Sequence, residues 1–299
     1  MKKFLGALVL VAFVLGFTAT AYPWGSATHA FIIDQIMRKG GPPRLMYGVM
    51  APDVFNYYFE NKPLRDQLYA MTHYDFMKVW NASKGPSDRP SAFGFVSHNN
   101  EWGIDFTAHT SSRTLDPNYG YVIQKAEFLY DNYLGGLLSG MGIDEDTGKE
   151  ICHDLVETAI DLMIKYLDPN IGNRLVDAAR SSDKKMLELL EKAYAQDVAA
   201  VVGDLDLAKA IIAGNESGFR MAILSLGNAL KLKAPNDLNA VAAQLAGLAY
   251  AAYGVQVEPS IVVQALQAAM MVCSGDFINE IMATVWFVQG QLAAHNIGY

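Results

Sequence analysis

The chain has 299 residues, of which 52% are hydrophobic, and its formal net charge is −8 with neutral histidines. This length and apolar content allow a substantial core in one large or two small domains. The acidic balance argues against non-specific nucleic-acid binding, which depends on Lys and Arg to neutralise phosphates. The two cysteines, Cys152 and Cys273, do not form a metal-binding motif, and either a disulfide or two buried thiols is compatible with them.

Residues 1–21 have the pattern of a secretory signal peptide. Two lysines precede an apolar run, Phe4–Phe17, and the small residues Ala-Thr-Ala at 19–21 predict cleavage after Ala21. We therefore expect an exported protein, periplasmic or secreted, and a retained membrane anchor is the alternative. Cleavage there also removes two lysines and makes the mature chain more acidic.

The sequence after residue 21 has the apolar spacing of helices, and the alternation typical of strands is nearly absent. We therefore predict an all-α fold. A short helix and a loop are predicted around Pro52 and Asp53, and a loop rich in Gly, Pro and Ser over residues 83–91. The longer helices predicted in the first half span residues 27–38, 64–82, 92–110, 120–140 and 148–167.

The character of the chain changes near residue 171, after which Ala, Leu and Val become abundant and His295 is the last histidine. The most apolar stretch, residues 238–252, is too short for a comfortable membrane span and is interpreted as a buried core helix. We divide the mature chain into residues 22–170 and a helical C-terminal region, 171–299, of unknown role. The helices predicted in that region span residues 183–197, 205–213, 218–232, 236–253, 259–273 and 276–293.

The densest polar pattern lies in the predicted helix over residues 92–110. An α-helix advances about 100° per residue, so His98, Asp105 and His109 fall on one narrow stripe of that helix. Imidazoles and carboxylates on facing helices are the usual components of multi-metal sites in helical proteins. The stripe therefore predicts one side of a metal centre.

Further histidines and carboxylates extend this pattern. His153 and Glu157 are four residues apart and therefore share a face of their helix. Zinc takes imidazole nitrogen and carboxylate oxygen in sites of about four ligands, so eight such side chains suffice for two or three Zn²⁺ ions if Asp105 bridges. His295 is instead expected to be a structural residue. The eight candidate ligands are His29, Asp53, His73, His98, Asp105, His109, His153 and Glu157.

Five short segments carry these residues in a fixed order. They are WGSATH (24–29), APD (51–53), THYDF (72–76), GFVSHNNEWGIDFTAH (94–109) and H-x-x-x-E (153–157). In this order they resemble the bacterial zinc-dependent phospholipase C family, over roughly residues 24–167. The single-strand-specific zinc nucleases share that architecture and ligand plan, so the resemblance implies the fold more firmly than the substrate.

The resemblance implies an all-helical domain with a trinuclear zinc site and metal-assisted hydrolysis of phosphodiesters. The substrate would be a phospholipid headgroup, at a membrane surface, with Asp53 as the general base for the attacking water. The implied ligand groups are Asp53, His73 and His98 for one zinc, His109, His153 and Glu157 for a second, and His29 with the main chain of Trp24 for the third, while Asp105 bridges two metals.

Two features depart from the pattern of this family. The expected cleavage leaves two residues ahead of Trp24, whereas secreted members begin at the tryptophan, so the third metal site is predicted to be weaker, differently ligated or absent. The spacing also differs, because many members have H-x-x-x-D, whereas His98 precedes Asp105 by seven residues. Glu101 is therefore an alternative ligand to His98.

The sequence is compatible with three functions. The leading one is an exported zinc phosphodiesterase that acts on phospholipid headgroups. The second uses the same fold and metals as a nuclease, which the acidic charge disfavours. The third is a non-catalytic helical binding protein stabilised by zinc. Closed four-ligand sites would favour the third function, and an open coordination position would favour an enzyme.

Overall fold

A computed structural model describes residues 24–299 apart from 39, 59, 60, 182 and 183. These residues form helices and no strands, which confirms the predicted all-α fold. The predicted signal peptide, residues 1–21, lies outside them. The α-helices of the described part are α1 Ser26–Ile36, α2 Pro43–Met50, α3 Lys62–His73, α4 Met77–Ala82, α5 Arg89–His98, α6 Tyr121–Leu129, α7 Gly135–Gly140, α8 Glu145–Leu167, α9 Ile171–Ser181, α10 Lys185–Val202, α11 Leu205–Leu230, α12 Asn236–Tyr253, α13 Pro259–Cys273 and α14 Phe277–Ala294.

Three shorter segments have other helical types. A 3₁₀ helix, Ala51–Tyr57, directly follows α2 and carries Asp53. A π-helical turn, Phe106–Thr110, carries His109, and a second one, Tyr130–Leu134, joins α6 to α7. Helical turns of the π type are rare and frequently lie at functional sites.

Local chemistry sets several helix boundaries. The Asp144 side chain accepts the N–H of Thr147 at 2.9 Å and starts α8. Gly203 and Gly254 end α10 and α12 with φ of +81° and +68°, a region that glycine enters without steric cost. The helices predicted over residues 236–253 and 259–273 are found with those bounds.

Several of the helix predictions are wrong, and one helix was not predicted. The predicted helix 64–82 is two helices, because α3 ends at His73 and α4 begins at Met77. The two helices predicted over 205–213 and 218–232 are one, α11, since Glu216 is buried there and accepts a 2.9 Å hydrogen bond from the Tyr47 hydroxyl. Helix α9 was not predicted at all.

One apolar core contains buried residues from both sides of position 170. Helix α11 packs against the 3₁₀ helix that carries Asp53, α13 packs against α8, and α14 packs against α1. The Gln289 side chain on α14 also donates to the carbonyl oxygen of Ile36 at 3.1 Å. The C-terminal region therefore completes the core that supports the histidine-bearing helices.

Helix α12 corresponds to the stretch interpreted as a buried core helix. It buries Val241, Ala242 and Leu248 but leaves Tyr250 64% exposed, so it is a surface helix with one buried face. Within the described residues, no single helix has both the length and the apolar composition needed to cross a membrane. Helices α13 and α14 meet that test only as a pair, and the pair is bent by 66°.

The two cysteines are buried free thiols, which decides between the alternatives for Cys152 and Cys273. Burial raises the pKa of each thiol to about 12, so both stay protonated near neutral pH.

Candidate metal centre

The segment from His98 to His109 is not the continuous helix predicted over residues 92–110. Helix α5 ends at His98, and the buried side chain of Asn99 organises the turn that follows. Its Oδ1 accepts the backbone N–H groups of residues 101–103 at 2.9, 2.9 and 3.2 Å. Because one side chain satisfies three N–H groups, the chain can leave the helix without unpaired backbone donors.

This break brings Asp105 back onto His98. In a continuous helix, residues seven apart are separated by about 10.5 Å along the axis. In the structure, Asp105 Oδ2 lies 3.0 Å from His98 Nε2. A Cβ atom at Gly103 would lie 2.3 Å from the carbonyl oxygen of His98, so glycine permits this close approach. His98 and Asp105 do lie together, but not for the predicted reason, which was that they share one face of a continuous helix.

Four buried side chains converge in a first group. Its ligand atoms are Asp53 Oδ1, His73 Nε2, His98 Nε2 and Asp105 Oδ2. The two nitrogens are 3.1 Å apart, and the measured nitrogen–oxygen separations run from 3.0 to 3.7 Å. Four ligands in a tetrahedron around zinc, with bonds of about 2.1 Å, are separated from one another by about 3.4 Å. The group therefore has the dimensions of a tetrahedral metal site.

Hydrogen bonds to the other ring nitrogens orient the imidazoles of this group. His98 Nδ1 lies 2.7 Å from the carbonyl oxygen of Val49, and His73 Nδ1 lies 3.0 Å from the carbonyl oxygen of Tyr69 and 2.9 Å from the Thr72 hydroxyl. A carbonyl oxygen only accepts, so a neutral His98 ring carries its proton at Nδ1 and its lone pair at Nε2. This Nε2 atom lies 3.1 Å from His73 Nε2 and 3.0 Å from Asp105 Oδ2, an arrangement that a cation between them would stabilise.

A second group lies between the π-helical turn and α8. His109 Nε2 is 3.1 Å from His153 Nε2, and Glu157 Oε1 is 3.6 Å and 3.0 Å from these two nitrogens. Both carboxylate oxygens of Glu157 are buried and have no hydrogen-bond partner in the described part of the chain. The two imidazoles are 18% and 15% exposed, whereas the first group is closed to solvent. The second group is therefore the side from which a ligand can enter.

Asp105 connects the first group to His29. Its Oδ1 lies 3.1 Å from His29 Nε2, while its Oδ2 faces His73 and His98. The His29 ring stacks on His98 with centroids 4.4 Å apart, and its buried Nδ1 has no partner among the described residues. Asp105 thus lies between the first group and His29, and it reaches the second group only at His109 Nδ1, 3.8 Å away. Its expected role as a bridge between two metals stays a prediction.

Trp24 and Glu101 complete the set of predicted positions. The Trp24 indole is buried, donates to Thr107 Oγ1 at 3.2 Å and stacks on Tyr121, so its side chain packs the core beside the centre. The expected role of its main chain in a third metal site stays a prediction. Glu101 is exposed, whereas His98 is fully buried, so the structure places His98 and not Glu101 in the first group.

Asp161 is a residue of the centre that the sequence reasoning missed. Its buried carboxylate accepts the backbone N–H groups of Ala27 and Thr28 at 3.0 and 2.7 Å, and the Thr28 hydroxyl at 2.8 Å. It therefore fixes the start of α1 and the position of His29. The signal was available, because Asp161 follows Glu157 by one further step of four residues on α8.

Burial dominates the electrostatics of the metal-free centre. It raises the pKa of Asp53 to about 7, with His98 opposing and Asp105 reinforcing the change. Burial likewise holds the pKa of Glu157 well above its usual value and lowers that of His109 to about 3. Burial also opposes ionisation of Asp105, but the imidazoles of His98, His29 and His73 outweigh it and keep its pKa well below the usual range. Folding thus gathers buried carboxylates that a divalent cation would stabilise in their charged form.

No known protein family, curated protein or solved structure matches this chain. The resemblance to zinc-dependent phospholipases C therefore rests on the order and local context of its own residues. The structure shows an all-helical protein whose buried histidine and carboxylate groups have the spacing to hold metal ions.

Proposed function

We propose that the protein is an exported zinc-dependent phosphodiesterase that hydrolyses phospholipid headgroups. The observation that carries the proposal is the 3.1 Å contact between the buried Nε2 atoms of His73 and His98, with the carboxylates of Asp53 and Asp105 within 3.7 Å of them. His98 Nδ1 faces the carbonyl oxygen of Val49 at 2.7 Å, so the lone pair of its neutral ring lies at Nε2 and points into this group. This arrangement is adapted to a cation.

The donor set fits zinc. Imidazole nitrogens and carboxylate oxygens in groups of three or four are typical zinc ligands. The first group would hold one ion, the group of His109, His153 and Glu157 another, and His29 with Asp105 a third. When bound, zinc ions supply neutralisation of phosphate charge and ionisation of water near neutral pH.

Asp53 is the proposed general base. Its Oδ1 faces His73 and His98 and accepts a 3.0 Å hydrogen bond from Asn56 Nδ2. Its Oδ2 is then the atom that takes the proton of the attacking water. The exposed edges of His109 and His153 mark the side on which the phosphate ester approaches.

The composition of the last three helices supports a lipid substrate. Residues 238–299 contain no Lys or Arg and only three acidic residues. The large hydrophobic side chains exposed in this range are those of Tyr250, Met271, Trp286 and Tyr299. Exposed apolar side chains that include a tryptophan suit contact with a membrane interface, whereas a nuclease would be expected to present cationic residues.

Hydrolysis assays on the zinc-loaded mature chain test this function. We expect short-chain phospholipids to be cleaved at the headgroup, with activity lost in EDTA and restored by zinc. His153→Ala should lower activity by at least about 100-fold, whereas His295→Ala, which removes an exposed histidine that stacks on Trp102 and contributes no atom to the candidate metal groups, is the matched control. Cleavage of single-stranded DNA alone would establish the nuclease instead, and bound zinc without any hydrolysis would establish a structural role.

A further inference from the structure

Tyr69 and Asn100 form a connected pair beside His73. The Tyr69 ring stacks on the His73 imidazole with centroids 3.7 Å apart and planes 19° from parallel. The backbone N–H of Asn100 donates to the carbonyl oxygen of His73 at 3.2 Å. Asn100 Nδ2 donates to the Tyr69 hydroxyl oxygen at 2.7 Å. The pair is therefore held against the first group by three independent contacts.

Each residue of this pair has one hydrogen-bonding group without a partner among the described residues. The Tyr69 oxygen accepts from Asn100, and its own O–H has no acceptor among the described residues. Asn100 is 8% exposed, and its buried Oδ1 has no donor in that part of the chain. Native proteins rarely leave a buried amide oxygen unpaired without a ligand or water to satisfy it. One donor and one acceptor thus lie side by side at the edge of the candidate centre.

We propose that Tyr69 and Asn100 are a substrate-contact pair, in which the Tyr69 hydroxyl donates to a phosphate oxygen and Asn100 Oδ1 accepts from an N–H or O–H group of the ester alcohol. The proposal rests on the phosphodiesterase function proposed above. It names a substrate class: phosphate esters whose alcohol carries a hydrogen-bond donor, such as ethanolamine. A trimethylated ammonium, as in choline, offers no such donor and would leave the buried oxygen unpaired.

Paired lipid substrates test the specificity directly. For the zinc-loaded mature chain, we expect kcat/KM for dihexanoyl phosphatidylethanolamine to exceed that for dihexanoyl phosphatidylcholine by about tenfold or more. Asn100→Ala should bring this ratio close to one. Tyr69→Phe should lower kcat/KM about tenfold for both lipids, keep the ratio and keep the zinc content, because the ring still stacks on His73. Tyr166→Phe removes an exposed hydroxyl on α8 and is the matched control.

Headgroup binding gives a second readout that does not depend on turnover. We expect phosphoethanolamine to bind the zinc-loaded protein about tenfold more tightly than phosphocholine in calorimetry, and Asn100→Ala to remove the difference. Equal hydrolysis of both lipids by the wild type, or an unchanged ratio in Asn100→Ala, would overturn the pair and leave the proposed function standing. Zinc-loaded protein that hydrolyses neither lipid would refute the function, and equal headgroup binding in that protein would refute the pair as well.

Discussion

We expect the substitution Asp53→Asn to stabilise the metal-free protein at pH 8 and to weaken its zinc binding. Burial raises the pKa of Asp53 from 3.8 to about 7, so at pH 8 the metal-free protein holds this carboxylate charged without a compensating cation. An amide at this position carries no charge. Its oxygen can keep the hydrogen bond that Asn56 Nδ2 donates to the present Oδ1 at 3.0 Å.

The magnitude follows from the difference in proton affinity between the folded and unfolded states. Because the folded pKa is the higher one, Asp53 costs almost no stability below about pH 3, where the carboxyl group is protonated in both states. The cost grows as the pH rises and levels off above the folded pKa of about 7. Each tenfold change in proton affinity is worth about 1.4 kcal/mol, so Asp53→Asn should stabilise the metal-free protein by about 4 kcal/mol at pH 8 and about 2 kcal/mol at pH 5.

Urea unfolding in excess EDTA at these two pH values measures the effect. Asp177→Asn is the matched control, because Asp177 is exposed on α9. In the presence of zinc the order should reverse, since the variant lacks one oxygen ligand and gains less from the metal. An Asp53→Asn variant that is less stable than the wild type in EDTA at pH 8 would refute the idea that the centre stores an uncompensated buried charge.

Other variants test the elements that build the centre. Asn99→Ala should destabilise the metal-free protein by about 2 kcal/mol in urea unfolding, because the backbone N–H groups of residues 101 and 102 lose their acceptor, whereas that of Gly103 keeps the Asn99 carbonyl oxygen. Gly103→Ala should weaken zinc binding at least about tenfold in a competition titration, since its Cβ would push the His98 carbonyl away. Glu157→Gln should lower the zinc content by one ion per chain in elemental analysis, with the first group still loaded. Zinc affinity should fall steeply between pH 8 and pH 6, because burial raises the pKa values of Asp53 and Glu157 and protons then compete with the metal.

The sequence was most informative where local chemistry decides the structure. Helices α12 and α13 were predicted with their observed bounds, because Gly254 ends the first and Pro259 starts the second. Apolar spacing also placed His153 and Glu157 on one face of α8, where their side-chain atoms lie 3.0 Å apart. In these places the structure depends on contacts between near neighbours in sequence.

Sequence reasoning failed where tertiary contacts override local patterns. Two glycines flank residues 215–217 and suggested a break in α11, but burial of Glu216 against Tyr47 keeps that helix continuous. The segment 92–110 shows the opposite failure. Its apolar spacing is helical, yet the Asn99 side chain competes for the backbone N–H groups and ends the helix.

The candidate centre was named from the types and order of its residues, but its geometry was not available from the sequence. Helical spacing alone would keep His98 and Asp105 about two turns apart. Only the turn organised by Asn99 and the absence of a side chain at Gly103 bring them to 3.0 Å. The pair of Tyr69 and Asn100 could not be predicted either, because their contact joins α3 to the turn after α5 across 31 positions of sequence.

The central claim is that the first group, the second group and the pair of His29 and Asp105 bind a cluster of zinc ions, and metal content tests it most directly. Elemental analysis of the purified mature protein, after addition of zinc and removal of the excess, should give two or three zinc ions per chain. Asp105→Asn should bind at least one fewer, since Asp105 faces both the first group and His29. Asp177→Asn should match the wild type. A wild-type protein that takes up no zinc under these conditions would contradict the claim, and with it the proposed hydrolysis.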